Sequence, residues 1–151
     1  MSFEVRATTD IGASVETVWR VLIELSSYAE WSTLLRYEGG VAEVGQRLSL
    51  RLTLPDGGGY AFSPEVLVVD APHHFAWVGR TGIKGVFDGE HHFRLSRIDA
   101  GTTRLENVER YSGILSPLMK RMPQMKSADA GFEQMNQEIR RRAETLAGAS
   151  A

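Results

Sequence analysis

Residues that could carry proton chemistry lie on two consecutive predicted strands in the last third of the chain. His91 lies on the first strand, and Asn107, Glu109 and Tyr111 recur at every second position of the next. Because alternate residues of a strand point to one face, an inward-facing Leu105 predicts that these three also point inward. A carboxyl group and an imidazole are common partners in general acid–base catalysis. Glu109 and His91 are therefore the candidate catalytic pair, with Asn107 or Tyr111 placed to hold a substrate oxygen.

The length of the turn between these strands decides whether the pair can meet. A three-residue loop over 99–101 places His91 directly opposite Glu109, where the side chains are cross-strand neighbours. A two-residue loop over 100–101 places His91 opposite Arg110 instead. Burial of Glu109 would raise its pKa, whereas a charged imidazole nearby would lower it.

Three interpretations of the inward polar residues remain open. They could pair with one another as a structural network, because buried polar groups are costly unless they are hydrogen-bonded. They could instead form the polar end of an otherwise apolar cavity, which is the usual composition of a small-molecule site. A bulge that shifts the alternation by one residue would turn them outward.

The predicted ligand-binding residues combine this polar group with apolar side chains that could line a cavity. Methionines adapt well to irregular ligands, although a methionine stripe at helical spacing is equally expected of an ordinary core. The full predicted set is Phe62, Phe75, Trp77, Phe87, His91, Phe93, Asn107, Glu109, Tyr111, Met119, Met122 and Met135.

Several other chemistries find no support in the sequence. The adjacent pairs His73-His74 and His91-His92 lie on extended chain, so the two side chains of each pair point to opposite faces and cannot chelate one metal. The glycine-rich stretch 79–85 lacks the spacing of a phosphate-binding loop, and no Gly-x-Ser-x-Gly nucleophile motif occurs. No cysteine is present. We therefore predict neither a metal site nor a cofactor.

Composition indicates a soluble globular protein, most simply one domain over residues 1–151. Hydrophobic residues make up 42% of the chain and charged residues 24%, with a net charge of -2. No nucleic-acid partner is expected at this charge. No apolar run approaches the ~20 residues of a membrane span, so membrane insertion is not expected either. The N-terminus does not resemble a signal peptide, which makes the cytoplasm the expected location. Nothing in the sequence indicates the oligomeric state.

Hydrophobic periodicity predicts the elements that position these residues. Apolar residues alternate in the strands and recur every three or four positions in the helices. A Pro-Asp-Gly-Gly-Gly loop at 55–59 predicts a hairpin, and Pro64 predicts an edge or a bulge. The predicted strands are 3–11, 34–44, 48–54, 62–70, 75–80, 86–97 and 103–111. Two short helices follow the first strand, and an amphipathic helix over 116–146, with a kink or a new start at Pro123, closes the chain.

Short motifs spread along the chain carry a resemblance to a known superfamily. They include Val18-Trp19, Tyr28-Ala29-Glu30-Trp31, Gly45-Gln46-Arg47-Leu48, Phe75-Ala76-Trp77-Val78-Gly79, Glu109-Arg110-Tyr111-Ser112-Gly113 and Phe132-Glu133-Gln134-Met135-Asn136. This pattern resembles the START/Bet v 1-like (SRPBCC) superfamily, in particular its polyketide cyclase/dehydrase-type members. The resemblance implies an α+β helix-grip fold, in which a seven-stranded antiparallel sheet wraps around the long C-terminal helix and encloses a ligand cavity.

The function that follows is the binding of a small, mostly apolar or amphipathic molecule between the sheet and the C-terminal helix. The first alternative is a polyketide cyclase- or dehydratase-like enzyme that uses acid and base groups in the same pocket. The second is a protein-interaction module that uses an exposed helix or sheet edge. The fold does not decide among them, because one fold hosts many functions.

Overall fold

The computed structural model describes residues 2–53 and 57–149. Its strands are β1 (Ser2–Ile11), β2 (Leu35–Gly39), β3 (Ser49–Thr53), β4 (Gly59–Phe62), β5 (Glu65–Asp70), β6 (His74–Arg80), β7 (Asp88–Asp99) and β8 (Thr102–Ser112). Its helices are α1 (Val15–Ile23), a 3-10 helix (Leu25–Glu30), α2 (Ser116–Met119), α3 (Pro123–Lys126) and α4 (Ala128–Ala149). The predicted α+β arrangement of an antiparallel sheet and a long C-terminal helix is confirmed.

The strands form two antiparallel sheets, so the prediction of one seven-stranded sheet was wrong. A five-stranded sheet has the order β1-β8-β7-β6-β5, and a three-stranded sheet has the order β2-β3-β4. An isolated bridge between Arg47 and Glu65 links the segment before β3 to β5. The hairpin between β3 and β4 pairs Thr53 with Gly59. The end of the predicted strand and the start of its loop, at 54–56, lie outside the described residues.

Pro64 explains the extra strand. The predicted strand over 62–70 is divided there, with β4 in one sheet and β5 in the other. Proline has no N–H to donate to a strand ladder, and it lies here between two edge strands, in agreement with the predicted edge position. Its carbonyl instead accepts a hydrogen bond from the Leu48 N–H at 2.9 Å, and Val66 exchanges two hydrogen bonds of 2.9 Å with Gly45 and Gln46. The chain thus changes sheets at Pro64, which has no backbone N–H to donate.

The first strand and helix follow their sequence patterns. In β1, exposed Glu4, Arg6 and Asp10 alternate with buried residues that end at Ile11. Helix α1 begins after Ser14, whose hydroxyl oxygen accepts a hydrogen bond from the Thr17 N–H at 3.2 Å. This cap satisfies one of the free N–H groups at the helix start. Both elements then present an apolar face to α4.

The C-terminal segment is divided into three helices. Met122 has an extended backbone (φ -71°, ψ 145°) before Pro123, where a new helix begins, because a residue before proline is disfavoured in helical conformation. A second break, at Ser127, separates α3 from α4 and was not predicted. Helix α4 packs against β1 and α1. No helix in the described part of the chain is long and apolar enough to cross a membrane.

Two hydrophobic clusters lie on the inner side of the five-stranded sheet. The main cluster includes Phe75, Phe93, Ile139 and Ala143 and fills the space between sheet, α1 and the second half of α4. A smaller cluster of Val5, Phe87 and Tyr111 lies towards the other end of the sheet, and partly buried residues of α2, α3 and the start of α4 pack against it. The candidate site lies where the second cluster meets the first.

Candidate functional site

A bulge sets the register of the two strands that carry the candidate pair. Asp99 pairs with Thr102 around a two-residue turn, but the register shifts by one residue between Arg97 and Asp99. The extra residue compensates for the short turn, as a bulge places two residues opposite one. His91 therefore lies directly opposite Glu109.

Buried side chains form a continuous hydrogen-bonded chain that ends at His91. The Asn136 amide donates to Thr9 Oγ1 at 3.1 Å, and the Asn107 amide donates to Asn136 Oδ1 at 3.0 Å. The Asn107 Oδ1 atom is 2.5 Å from His91 Nε2. Since a carbonyl oxygen can only accept, Nε2 carries the proton and a neutral imidazole keeps its lone pair on Nδ1. The chain thus fixes the tautomer of His91.

Three aromatic rings pack around His91 and exclude water from its side chain. The ring lies 4.4 Å from that of Phe93 and 5.2 Å from that of Phe132, with interplanar angles of 23° and 17°. The Trp77 ring is 5.0 Å away and tilted by 53°. Burial lowers the pKa of His91 to about 4, and the hydrogen bond to Asn107 offsets this only in part. The imidazole is therefore neutral at neutral pH.

Glu109 lies next to His91, beyond the end of the hydrogen-bonded chain, and is the more exposed of the two. Its Oε2 atom is 3.6 Å from His91 Nδ1, and 18% of its side chain is exposed against 6% for His91. Burial raises the pKa of Glu109 to about 7, and a hydrogen bond with the Tyr111 side chain offsets part of that rise. A protonated Glu109 can donate towards the free Nδ1 lone pair, and an ionised one can accept a proton.

Two paired glycines leave the inner face of the sheet without side chains near this carboxyl. Gly79 and Gly89 pair across β6 and β7, on the face that carries Trp77 and His91. A Cβ atom added at Gly89 would lie 2.7 Å from Glu109 Oε1 and 3.4 Å from the Tyr111 ring, so these side chains lean over Gly89. A Cβ atom added at Gly79 would meet nothing within 4 Å. We call Gly79 and Gly89 the glycine strip, and its open end is at Gly79.

The negative charge of Glu109 affects the pKa values of two tyrosines. Burial and then the Glu109 charge raise the pKa of Tyr111. The same two causes raise the pKa of Tyr60, which lies on β4 and is 54% exposed. The charge on Glu109 thus affects tyrosines of both sheets, Tyr111 on β8 and Tyr60 on β4.

The other predicted residues divide between the closed core and the site. Phe75, Phe93, Trp77 and Met135 are buried in the main cluster, with Phe62 packed against it. Phe87 stacks on Tyr111 at 5.4 Å with an interplanar angle of 4°. Met119 packs on that second cluster, whereas Met122 does not and is 38% exposed. An enclosed apolar cavity between sheet and helix stays a prediction.

Sequence reasoning missed Thr9 and Asn136. Both are buried, with exposed fractions of 8% and 0%. Asn136 lies beside Met135 on the helical stripe, and Thr9 falls on the buried alternation of β1, so each occupies an apolar position with a polar side chain. That conflict was the available signal, because buried polar groups require partners.

Features outside this site include a histidine pair and a surface groove. His74 Nε2 and His92 Nδ1, on neighbouring strands, are 2.9 Å apart. No group of three or more His, Asp or Glu side chains is arranged to hold a metal within residues 2–53 and 57–149. A groove of about 240 Å³ between the end of the 3-10 helix and α4 is lined by Glu30, Trp31, Glu138, Arg141, Arg142 and Thr145.

Solved structures with this fold include proteins of several kinds. A START superfamily protein from Mycobacterium smegmatis is 18% identical, with a TM-score of 0.71 over 95% of this chain and 98% of that one. The Zhui aromatase/cyclase from Streptomyces sp. R1128 is 16% identical, with a TM-score of 0.73 over 95% and 94%. The di-domain aromatase/cyclase StfQ of the steffimycin biosynthetic pathway is 15% identical, with a TM-score of 0.70. The match covers 98% of this chain but only 53% of StfQ.

At these identities the structural likeness shows the fold alone. No curated protein matches the chain in sequence. Residues 2–148, however, match the sequence profile of a family described as polyketide cyclase / dehydrase and lipid transport. Because that match covers nearly the whole chain, the chain belongs to the polyketide cyclase / dehydrase and lipid transport family.

Proposed function

We propose that the protein binds a small, mostly apolar molecule against the glycine strip, with Glu109 as its polar contact. The observation that carries this proposal is the open space at Gly79, which pairs with Gly89, the residue that the partly buried Glu109 carboxyl leans over. Two paired glycines remove side chains from the inner face of a sheet that is otherwise covered by large rings. The family supports the proposal, since its description includes lipid transport.

The surroundings of the strip indicate what the ligand must offer. Trp77 precedes Gly79 on the same face, and the stacked Phe87 and Tyr111 rings lie beyond Gly89, so most of the contact surface is apolar. Glu109 adds one group that donates a hydrogen bond when protonated and accepts one when ionised. A molecule with an apolar body and one hydroxyl or carbonyl group fits both features.

Substitution of Gly79 tests this proposal directly. A Cβ atom added at Gly79 meets no protein atom within 4 Å, so we expect Gly79→Val to occupy ligand space without a clash at its Cβ atom. We expect fluorescence titration with N-phenyl-1-naphthylamine, a neutral apolar probe, to show saturable binding that the substitution weakens at least tenfold.

Gly39→Val is the matched control, because Gly39 also lies in a strand with nothing within 4 Å of an added Cβ. Its affinity for the probe should equal that of the wild type. Equal affinity for the wild type and Gly79→Val would show that the probe binds elsewhere and would overturn the proposal.

A second candidate function, acid–base catalysis on a cyclic carbonyl compound, is favoured by the His91–Glu109 geometry. The fixed Nε2–H leaves only Nδ1 free, and it faces the carboxyl at 3.6 Å. An ionised Glu109 could take a proton from the carbon next to a carbonyl group and return it to the product. A pKa of about 7 suits that task at neutral pH.

This reaction can be followed without the natural substrate. In deuterium oxide, the wild type should accelerate exchange of the α-protons of 2-tetralone, observed by NMR. Glu109→Gln should abolish the acceleration while probe binding stays near the wild-type level, because the amide keeps the shape of the carboxyl. Probe binding without acceleration by the wild type would reject catalysis of this kind and leave the binding function standing.

A further inference from the structure

Exposed aliphatic and basic side chains are concentrated in two segments, the loop before β7 and the stretch from Ile114 to Lys126. Ile114 is 79% exposed, Ile83 75% and Leu118 62%, and Leu115 and Met122 are also exposed. The basic side chains Lys84, Lys120, Arg121 and Lys126 are exposed as well. We call these nine residues the apolar–basic patch.

The fold joins two separate segments to make this patch. The backbone of Ile114 donates to the Gly85 carbonyl, and that of Leu115 donates to the Val86 carbonyl, both at 3.0 Å. Gly113 permits the close approach, since it has a φ of +113° and an added Cβ would lie 2.5 Å from the Val86 oxygen. The loop before β7 and helix α2 are therefore parts of one surface.

The patch is positively charged, whereas the chain as a whole has a negative net charge. Segments 82–87 and 113–127 contain four basic residues and no Asp or Glu, although the chain has a net charge of -2. Acidic residues follow both segments. Asp88 follows the first, where it is partly buried and its Oδ2 atom accepts a hydrogen bond from the Gly85 N–H at 3.2 Å. The exposed Asp129 lies two residues beyond the second and leaves an excess of three positive charges. An anionic partner is therefore favoured here and disfavoured over the rest of the surface.

The residue types favour a lipid surface over a protein. Protein interfaces are enriched in aromatic residues and depleted in lysine, and their energetic centres are typically Trp, Tyr or Arg. The patch has no aromatic residue, and three of its four basic residues are lysines. Aliphatic side chains that enter the boundary of the acyl chains, ringed by lysines among anionic headgroups, are typical of peripheral membrane binding.

We propose that the apolar–basic patch docks the protein on the surface of an anionic phospholipid membrane. Ile83, Ile114 and Leu118 enter the headgroup region, and the four basic residues face the lipid charges. The protein lies on the membrane and does not span it.

Docking at this surface has a consequence that rests on the proposed ligand-binding function. In α2, Leu118 belongs to the patch, whereas its neighbour Met119 packs on the second cluster beside Phe3 and Tyr111. Lys120 Nζ lies 5.8 Å from the centre of the Phe3 ring. One short helix thus separates the membrane from the apolar side of the candidate site. The ligand class that this arrangement serves is an amphipathic molecule that partitions into membranes.

Flotation with lipid vesicles tests the docking. The full chain should float with equimolar phosphatidylcholine–phosphatidylglycerol vesicles, much less with phosphatidylcholine alone, and less as the salt concentration rises. Each of Lys120→Ala and Arg121→Ala should weaken binding on the order of fivefold. The double variant Ile114→Ser/Leu118→Ser should weaken it at least tenfold without loss of thermal stability, since both side chains are already exposed.

Val41→Ser/Val44→Ser is the matched control, because these side chains are 56% and 64% exposed outside the patch. It should float like the wild type. Failure of the wild type to bind anionic vesicles would overturn the proposal and assign the patch to a protein partner. Equal flotation of the patch variants and the wild type would also overturn it.

The two proposals fail separately. Gly79→Val should lose the naphthylamine probe, measured without vesicles, and still float. The Ile114→Ser/Leu118→Ser variant should bind the probe like the wild type but float much less. A protein that floats but binds no probe keeps the docking proposal and rejects the ligand site.

Discussion

The opposite pKa shifts of His91 and Glu109 predict that their effects on stability cancel over a defined pH range. Folding favours the neutral imidazole, because the pKa of His91 falls from 6.5 to about 4. Folding also favours the protonated carboxyl, because the pKa of Glu109 rises from 4.5 to about 7. Between pH 4.5 and 6.5 the unfolded chain holds a proton on the imidazole, and the folded chain holds one on the carboxyl. Equal proton counts mean that this pair gives no pH dependence there.

Removing either residue reveals the pH dependence that the other residue gives to the free energy of unfolding. Without Glu109, the unfolded state binds the extra proton at His91, so the free energy of unfolding rises as pH increases from about 4 to 6.5. Without His91, the folded state binds the extra proton at Glu109, so the free energy of unfolding falls as pH increases from 4.5 to about 7. Each interval corresponds to up to about 3 kcal/mol. For Glu109 this is an upper value, since 18% of its side chain is exposed.

Urea unfolding followed by tryptophan fluorescence measures these slopes. Glu109→Gln keeps the shape of the side chain, and His91→Gln keeps a donor for Asn107. Relative to the wild type, Glu109→Gln should gain free energy of unfolding as pH rises through the interval from 4.5 to 7. His91→Gln should lose it as pH rises from 4 to 6.5. A difference that stays constant with pH, for both variants, would refute the assignment of opposite protonation states.

Two further predictions concern the helix that covers the site. Phe132→Ala should lower the free energy of unfolding by about 2 kcal/mol, less than for a fully buried ring, because Phe132 is only partly buried. The substitution should also let water reach His91. An NMR titration should therefore find the His91 pKa nearer 6.5 than in the wild type. Glu138→Ala should cost about 2–3 kcal/mol in urea unfolding, because the buried carboxylate accepts hydrogen bonds from both the N–H and the hydroxyl of Thr33. Glu133→Ala, on the exposed side of α4, should change the free energy of unfolding by less than about 0.5 kcal/mol.

The sequence determines much of the fold through local alternation. β1 shows this, since apolar residues alternate with polar and charged ones except at Thr9, and the structure buries one set. The inward direction of His91 and Asn107 followed from the same argument, because Phe93 and Leu105 fix the face of each strand and both polar side chains are buried. Where one face is strongly apolar, the period of two leaves little freedom of register.

Non-local features could not be predicted in this way. The alternation in 62–70 is compatible with one strand through Pro64, and only the pairing partners of each half show that the chain changes sheets. Turn length alone would have placed His91 opposite Arg110, and the bulge after Arg97 that corrects the register has no clear sequence signal. The contact of Asn136 with Asn107 joins a helix to a strand 29 residues away and depends on how α4 is rotated.

The buried chain also restricts where a proton can enter and leave the site. Thr9, Asn136 and Asn107 bind one another and His91 Nε2, so none of their hydrogen-bonding groups in this chain is directed at the glycine strip. His91 Nδ1 remains free, but its side chain is only 6% exposed and the Glu109 carboxyl lies in front of it at 3.6 Å. A proton exchanged with a ligand must therefore pass through Glu109. The asparagines then act by position: they hold the imidazole in the tautomer whose lone pair faces the carboxyl. In the proposed function, Glu109 is the member of this group that exchanges a proton with the ligand.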